Sequence, residues 1–378
     1  MHGSSFRIGT LFGFDIYINI SWLIILVFLT ASLALGWFPA YYRGWPALEY
    51  WLIGFFASIL LFVAVLLHEL AHSLVARARG LSVKKITLYI FGGVSDLEQE
   101  PQSPGVEFQM AFVGPVVSLL IGIIAFLLQL PIRGSDTPGE AILIYLAISN
   151  ILLGIFNLLP GFPLDGGRVL RSIIWRVTGS LRKATHAAAV VGQVFAYILI
   201  LLGIYLFFIG DVFDGIWFGF IGWFLLSSAQ AEDSQMRLKT ILRGVTVAQV
   251  MNRNPATVPA NISLQRLVNE YFLPQGLRSA LVMQGDTLGG LVTLGDIRHV
   301  PQEEWSQTVV GFVMIPREKL HTVSPQQDLN DVLPLITAQD VNQLPVLENG
   351  QLVGVLTRDA LLRYIEIHRS LGMERKAA

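Results

Sequence analysis

Six stretches of the chain, near residues 17–38, 50–77, 107–130, 141–160, 185–209 and 212–231, stay apolar for about the 20 residues that a lipid bilayer demands of a spanning helix. No other feature narrows the fold as far. Inside hydrocarbon there is no water to satisfy backbone N–H and C=O groups, so a spanning segment must pair them internally. The expectation is a polytopic α-helical membrane domain of about six transmembrane helices. Charge places the rest of the chain. Only 14% of residues are charged, against about a quarter in an ordinary soluble domain, and mean hydropathy is +0.59. Of the 26 Lys and Arg, 12 fall in residues 1–236 and 14 in the shorter remainder, so a membrane half precedes a soluble half.

The same cations give an orientation. One set of segment ends carries Arg7; Arg77, Arg79, Lys84 and Lys85; Arg168, Arg171, Arg176, Arg182 and Lys183; and Arg237, Lys239 and Arg243. The other set carries only Arg43 and Arg133. Positive charge is retained on the cytosolic side, which places both termini in the cytosol of a multi-pass protein, most simply in a bacterial-type cell membrane. A net charge of −1 gives no reason to expect nucleic-acid binding, and the absence of cysteine excludes disulfides, thiolate metal sites and cysteine nucleophiles.

The second apolar run ends in His68-Glu69-Leu70-Ala71-His72. Ionisable groups at bilayer depth cost about 2.5 kcal/mol or more and mark function by default. On a helix, positions i and i+4 share a face, so both imidazoles can grip one ion, with Glu69 beside them to activate water. A catalytic zinc needs a third protein ligand. Asp165, in Asn157-Leu-Leu-Pro-Gly-Phe-Pro-Leu-Asp165-Gly166-Gly167-Arg168, closes the fourth run at the same membrane depth. Its alternative reading is a helix-terminus cap beside Arg168. The prolines and glycines there break the helix, which membranes tolerate only where protein or a water-filled cavity satisfies the backbone. Asn157 either satisfies carbonyls freed near Pro160 or donates to a developing oxyanion. Asn150 reads as a helix-packing residue.

Together, His68-Glu-Leu-Ala-His72 and Asn157-x-x-Pro-x-x-Pro-x-Asp165-Gly resemble the site-2 protease family, zinc metalloproteases that cut within the membrane. The resemblance covers residues 1 to about 236. It implies one Zn2+ per chain held by His68, His72 and Asp165, with Glu69 as general base. It also implies that Phe91, Gly92 and Gly93, in the segment Lys84–Glu98, belong to a β-hairpin dipping into the membrane. Ile86-Thr-Leu-Tyr-Ile-Phe91 before Gly-Gly reads as a strand and turn, whose edge is suited to hold an extended substrate by β-addition. The alternative is an ordinary cytosolic loop hairpin. Gly114-Pro115-Val-Val-Ser118 resembles the family's third-span motif; the family often carries Asn where this chain has Ser118, and no role is assigned to Ser118.

Residues 245–368 repeat internally. Val247-Ala-Gln-Val-Met251 matches Val310-Gly-Phe-Val-Met314, and Gly290-Leu-Val-Thr293 matches Gly354-Val-Leu-Thr357, at a period of 63 to 65 residues. Each unit reads strand, helix, strand, strand, helix, a cytosolic α/β domain. This half resembles a tandem pair of cystathionine-β-synthase (CBS) modules, with repeats at about 245–300 and 308–368. The resemblance implies adenine-nucleotide binding through Thr293 and Asp296, and a homodimer through the pair. In the second repeat Thr357 aligns but Ala360 stands where the Asp belongs, so one site is expected rather than two; the alternative is a module that serves dimerisation alone.

The expected domains are therefore a membrane-embedded metalloprotease domain (1–231), a linker (232–244), a CBS regulatory domain (245–368) and a tail (369–378). The expected activity is a zinc-dependent intramembrane endopeptidase acting on single-span membrane proteins. The competing class is a membrane transporter or channel gated by its CBS pair. A transporter should show repeated or inverted membrane halves, and spans one to three show no similarity to spans four to six.

Overall fold

The computed structural model describes residues 5–89, 92–97, 100–338 and 342–371. The chain divides into two compact units, Met1–Ser234 and Gln235–Ala378.

The first unit begins with strands, which the apolar-run reading does not anticipate. Strands β1 (Ser5–Leu11) and β2 (Phe14–Asn19) form an antiparallel hairpin. Phe12 and Gly13 connect them, both at positive φ (51° and 84°), the twist that two-residue hairpin turns favour. Arg77 pins the turn, donating to the Phe12 carbonyl at 2.6 Å with its guanidinium over the Phe14 ring.

Six helices are long and apolar enough to cross a bilayer. These are α1 (Ile20–Tyr41), α2 (Ala47–Ala78), α3 (Pro104–Gln129), α4 (Pro138–Asn157), α6 (Leu181–Phe208) and α7 (Val212–Leu242), with a short amphipathic helix, α5 (Asp165–Thr178), between the fourth and fifth. Local chemistry sets their starts. Ser103, Thr137 and Ser180 accept from backbone N–H groups of the first turns of α3, α4 and α6, and Pro104 and Pro138 occupy positions where no N–H is needed. Phe28, Ile124, Leu128 and Leu201 face outward and exposed, a surface suited to lipid rather than water.

Between α2 and α3 run strands β3 (Val83–Tyr89) and β4 (Gly92–Leu97), an antiparallel pair. Because β3 lies parallel to β2, the four strands make one sheet in the order β1-β2-β3-β4. The expected strand is present as β3, but Gly92 and Gly93 do not form the expected turn: they open β4, paired with Tyr89 and Leu88, and Phe91 lies outside the described residues. The sheet packs along α2. Phe14, Ile16 and Ile86 bury against Leu70, and Ile18 and Leu88 bury with Trp22, Leu26 and Phe62. This places β4 beside Glu69.

In the second unit the two repeats interlock. One sheet orders β5 (Thr257–Pro259), β6 (Ser279–Gln284), β7 (Thr287–Thr293) and β8 (Ile315–Pro316); β9 (Gln343–Glu348) and β10 (Gln351–Thr357) form a second hairpin. Val247, from the opening of the first repeat, is buried among Leu329, Leu344, Leu356 and Leu361 of the second. Val310, from the opening of the second, is buried among Val258, Leu264, Val282 and Val292 of the first. Asn252 exchanges backbone hydrogen bonds with Val355 at 2.8 and 2.9 Å, while Leu291 pairs with Ile315. Residues 232–244, expected to be a linker, are helical as far as Leu242, and Leu242 and Val245 belong to the second repeat's core.

Candidate metal centre and active site

Helix α2 is 32 residues long, about 48 Å at 1.5 Å per residue, so it outruns a hydrocarbon core of about 30 Å. His68 and His72 sit in its C-terminal third, one turn apart on one face. Helix α4 ends at Asn157, as the Pro and Gly content of the following stretch predicts, and the chain reverses through residues 158–164 into α5. Gly166 and Gly167 permit that reversal. A Cβ at Gly166 would lie 2.3 Å from the Leu159 carbonyl oxygen, and one at Gly167 would lie 2.4 Å from the Gly161 backbone. The result delivers Asp165, the first residue of α5, to the histidine pair; an acid is favoured at that helix position. Its recorded partners are the two imidazoles, which argues against a cap alone.

Asp165 Oδ2 lies 3.0 Å from His68 Nε2 and 3.2 Å from His72 Nε2. The other ring nitrogens are already engaged. His72 Nδ1 is 2.5 Å from the Met110 carbonyl, and His68 Nδ1 is 2.8 Å from Ser118 Oγ, both on α3. A carbonyl oxygen only accepts, so His72 Nδ1 carries a proton, and a neutral ring would turn a bare Nε2 lone pair toward Asp165. Two acceptors facing each other at 3.2 Å require a cation or an added proton between them. With zinc–ligand bonds near 2.0–2.1 Å, tetrahedral neighbours stand about 3.3 Å apart. Donor type, tautomer and spacing thus fit a zinc ion, and His68, His72 and Asp165 form a three-ligand group among the described residues.

Glu69 lies against β4. Ser95 Oγ donates to its Oε2 at 3.3 Å, and Ser73 Oγ bridges to Ser95 Oγ at 3.0 Å. Gly93 lies flat against it, since a Cβ there would fall 2.3 Å from Glu69 Cγ. The hairpin named in the sequence is therefore at the site. Asn157 is not engaged with this cluster: its Nδ2 donates to the Leu153 carbonyl at 3.0 Å, within its own helix. Asn150 is buried and bonds back to Leu146 in the same manner.

Three contributions escaped the sequence reading. Ser118, given no role there, orients His68. Met110 orients His72 through its carbonyl, which no side-chain pattern reports. Gly114 lets α3 approach, because a Cβ there would lie 2.2 Å from His72 Nε2 and 2.6 Å from His68 Nε2. The spacing of Met110, Gly114 and Ser118 at i, i+4 and i+8 is the signal that places them on one face.

Comparison with known proteins gives this centre a family. Residues 56–137 and 135–203 match the model of peptidase family M50, and residues 247–303 and 311–367 match the CBS domain. Rip3 of Mycobacterium tuberculosis is 36% identical over 366 residues, 96% of this chain and 93% of the relative. Zinc metalloprotease MJ0392 of Methanocaldococcus jannaschii is 31% identical over 309 residues, 82% of this chain and 84% of the relative. The chain belongs to peptidase family M50. Among solved structures, the site-2 protease from Methanocaldococcus jannaschii is 31% identical, with 61% of this chain and 95% of that one covered at a TM-score of 0.44. This M50 peptidase is accordingly a multi-pass intramembrane zinc metalloendopeptidase with a C-terminal CBS pair.

In the CBS pair, Thr293 and Asp296 form a reciprocal helix cap at the start of α8 (Leu294–Arg298). Asp296 Oδ2 accepts from Thr293 N at 2.8 Å and from Thr293 Oγ1 at 2.7 Å, and Asp296 N donates back to Thr293 Oγ1. In the second repeat only the threonine half remains: Ala360 N donates to Thr357 Oγ1 at 3.1 Å.

Proposed function

We propose that this M50 peptidase hydrolyses a peptide bond within the transmembrane segment of single-span membrane proteins, using zinc held by His68, His72 and Asp165 with Glu69 as general base. The observation that carries the assignment is the convergence of both Nε2 atoms on one Asp165 oxygen, with each Nδ1 already engaged. Bound zinc supplies Lewis acidity to a water molecule and to the scissile carbonyl. Glu69, held by Ser95, takes the water proton and passes it to the leaving amine. The substrate helix must unwind first, because helical carbonyls are already hydrogen-bonded. The β3–β4 hairpin supports the reading that Gly92 and Gly93 lie along the unwound strand. Asn157 becomes an oxyanion donor on leaving its Leu153 bond.

Both termini are assigned to the cytosol of a bacterial-type membrane, from the distribution of Lys and Arg. The CBS pair is assigned one adenine nucleotide at the Asp296 side, with Asp296 Oδ1 left for a ribose hydroxyl while Oδ2 caps the helix, and it is assigned to homodimerisation. Titration calorimetry with AMP and ATP is expected to give one site per chain that Asp296→Asn weakens; heat-silent titrations would remove the nucleotide from the proposal.

The catalytic assignment is tested by zinc content and cleavage of a helix-weakened single-span reporter. Glu69→Gln should keep about one zinc and lose about 10²–10⁴ in rate, whereas His72→Ala and Asp165→Ala should lose the metal. A Glu69→Gln variant that cleaves at the wild-type rate would overturn the base assignment.

A further inference from the structure

One buried ion pair stands close to the metal centre without belonging to it. Arg171 and Glu107 are both almost fully buried, at 4% and 2% exposure. The Arg171 guanidinium donates from Nε and Nη2 to Glu107 Oε1, and its Cζ lies over the Phe162 ring, 5.2 Å from the centroid. Glu232 of α7 lies 3.6 Å from Arg171 Nη1. Among the described residues Glu107 Oε2 has no hydrogen-bond partner, so the pair is not saturated. A buried pair of this kind seldom increases stability over an apolar packing of the same volume, because two desolvated charges must be repaid. Its placement suggests another use. Glu107 sits three residues before Met110 on α3, the residue whose carbonyl fixes His72. Arg171 sits six residues after Asp165 on α5. Among the described residues it is the one side-chain ion pair that joins these two helices, the one orienting a histidine ligand and the other carrying the carboxylate ligand.

We infer that Glu107 and Arg171 are positioning residues that set the distance between Asp165 and the His68–His72 pair. The inference rests on the zinc assignment above. Two guanidinium nitrogens converging on one carboxylate oxygen hold the pair in a more defined geometry than a lysine ammonium, a compact point charge, would. The pair therefore holds α5 in register against α3 at the end where Asp165 must meet the imidazoles.

The test uses the full chain in detergent and three readouts: thermal transition, zinc affinity by competition with a chromophoric chelator, and the visible absorption of the cobalt(II)-loaded protein. The informative variant replaces both partners, Glu107→Leu with Arg171→Met, so that no lone charge is left buried. The expected result is a wild-type thermal transition, zinc affinity lowered by roughly 10- to 100-fold, and an altered cobalt band at full loading. Arg171→Lys should fall between that variant and wild type, and it decides the matter should the double variant fail to fold. Wild-type zinc affinity and cobalt absorption in the folded double variant, or in Arg171→Lys, would show that the pair is structural only and overturn the inference. Asp165→Ala serves as the control. If wild type and Asp165→Ala gave the same absence of cobalt absorption, the zinc assignment would fall, and the inference with it.

Discussion

At the residue scale, the metal centre is a matter of which nitrogen faces inward. The His68-to-His72 spacing puts two rings on one side of α2, but a ring can present either nitrogen. Met110 and Ser118 remove that freedom by engaging Nδ1 on both rings. Partners of this kind are typically worth 10- to 100-fold in metal affinity. Ser118→Ala should therefore lower zinc affinity by about that factor while leaving the ligand count unchanged. Chelator competition measures it; an affinity equal to wild type would mean that the Ser118 hydroxyl does not orient His68.

At the element scale, the site depends on helices approaching more closely than side chains normally allow. Gly114 brings α3 onto the imidazoles, and Gly166 folds α5 back against the end of α4. At Gly166 a methyl group would meet the backbone oxygens of Leu158 and Leu159, at 2.4 and 2.3 Å, which cannot rotate aside. Overpacking of this sort costs about 1–3 kcal/mol. Gly166→Ala is expected to lower the thermal transition and to lose zinc together, because Asp165 is the neighbouring residue. Unchanged zinc content would show that the turn yields elsewhere. This scale also shows what sequence reading reaches. The spans were legible because their apolar runs are local and long: the expected segment near 50–77 is found as Ala47–Ala78. The break at Pro160 was legible for the same reason, since prolines and glycines act where they stand; strand β3 was legible too, but Gly92 and Gly93 pair within β4 instead of making the turn. The β1–β2 hairpin was not, although Phe6 and Ile8 alternate with polar neighbours, because the apolar run beginning beside it dominates the pattern. Ser118, Met110, Gly114 and the Glu107–Arg171 pair become visible only when α2, α3 and α5 are packed together, and no local spacing encodes that packing.

At the scale of the whole molecule, the CBS pair is a single folding unit. Each repeat donates its opening segment to the other's core, with Val247 among second-repeat residues and Val310 among first-repeat residues. A chain ending after Trp305 would leave the pocket around Val258, Leu264 and Val282 without Val310. It would leave Leu242 and Val247 with no core at all. Such a truncation is expected to show no cooperative unfolding of its C-terminal part and to bind a hydrophobic dye, whereas the full chain should show one transition for both repeats. Separate transitions for the two repeats would contradict the interlock.

The interlock also sets a schedule. Synthesis runs from the amino terminus, and Val247 emerges long before Leu356 and Leu361, between which it must be buried. At about 5–20 residues per second the wait between them is roughly 5–23 seconds. Throughout that interval the membrane helices and the metal ligands have all been made, while the C-terminal unit has no completed core. A protease of this design has His68, His72 and Asp165, the residues proposed to hold its zinc, in hand before its other half can close, and every round of translation passes through that intermediate.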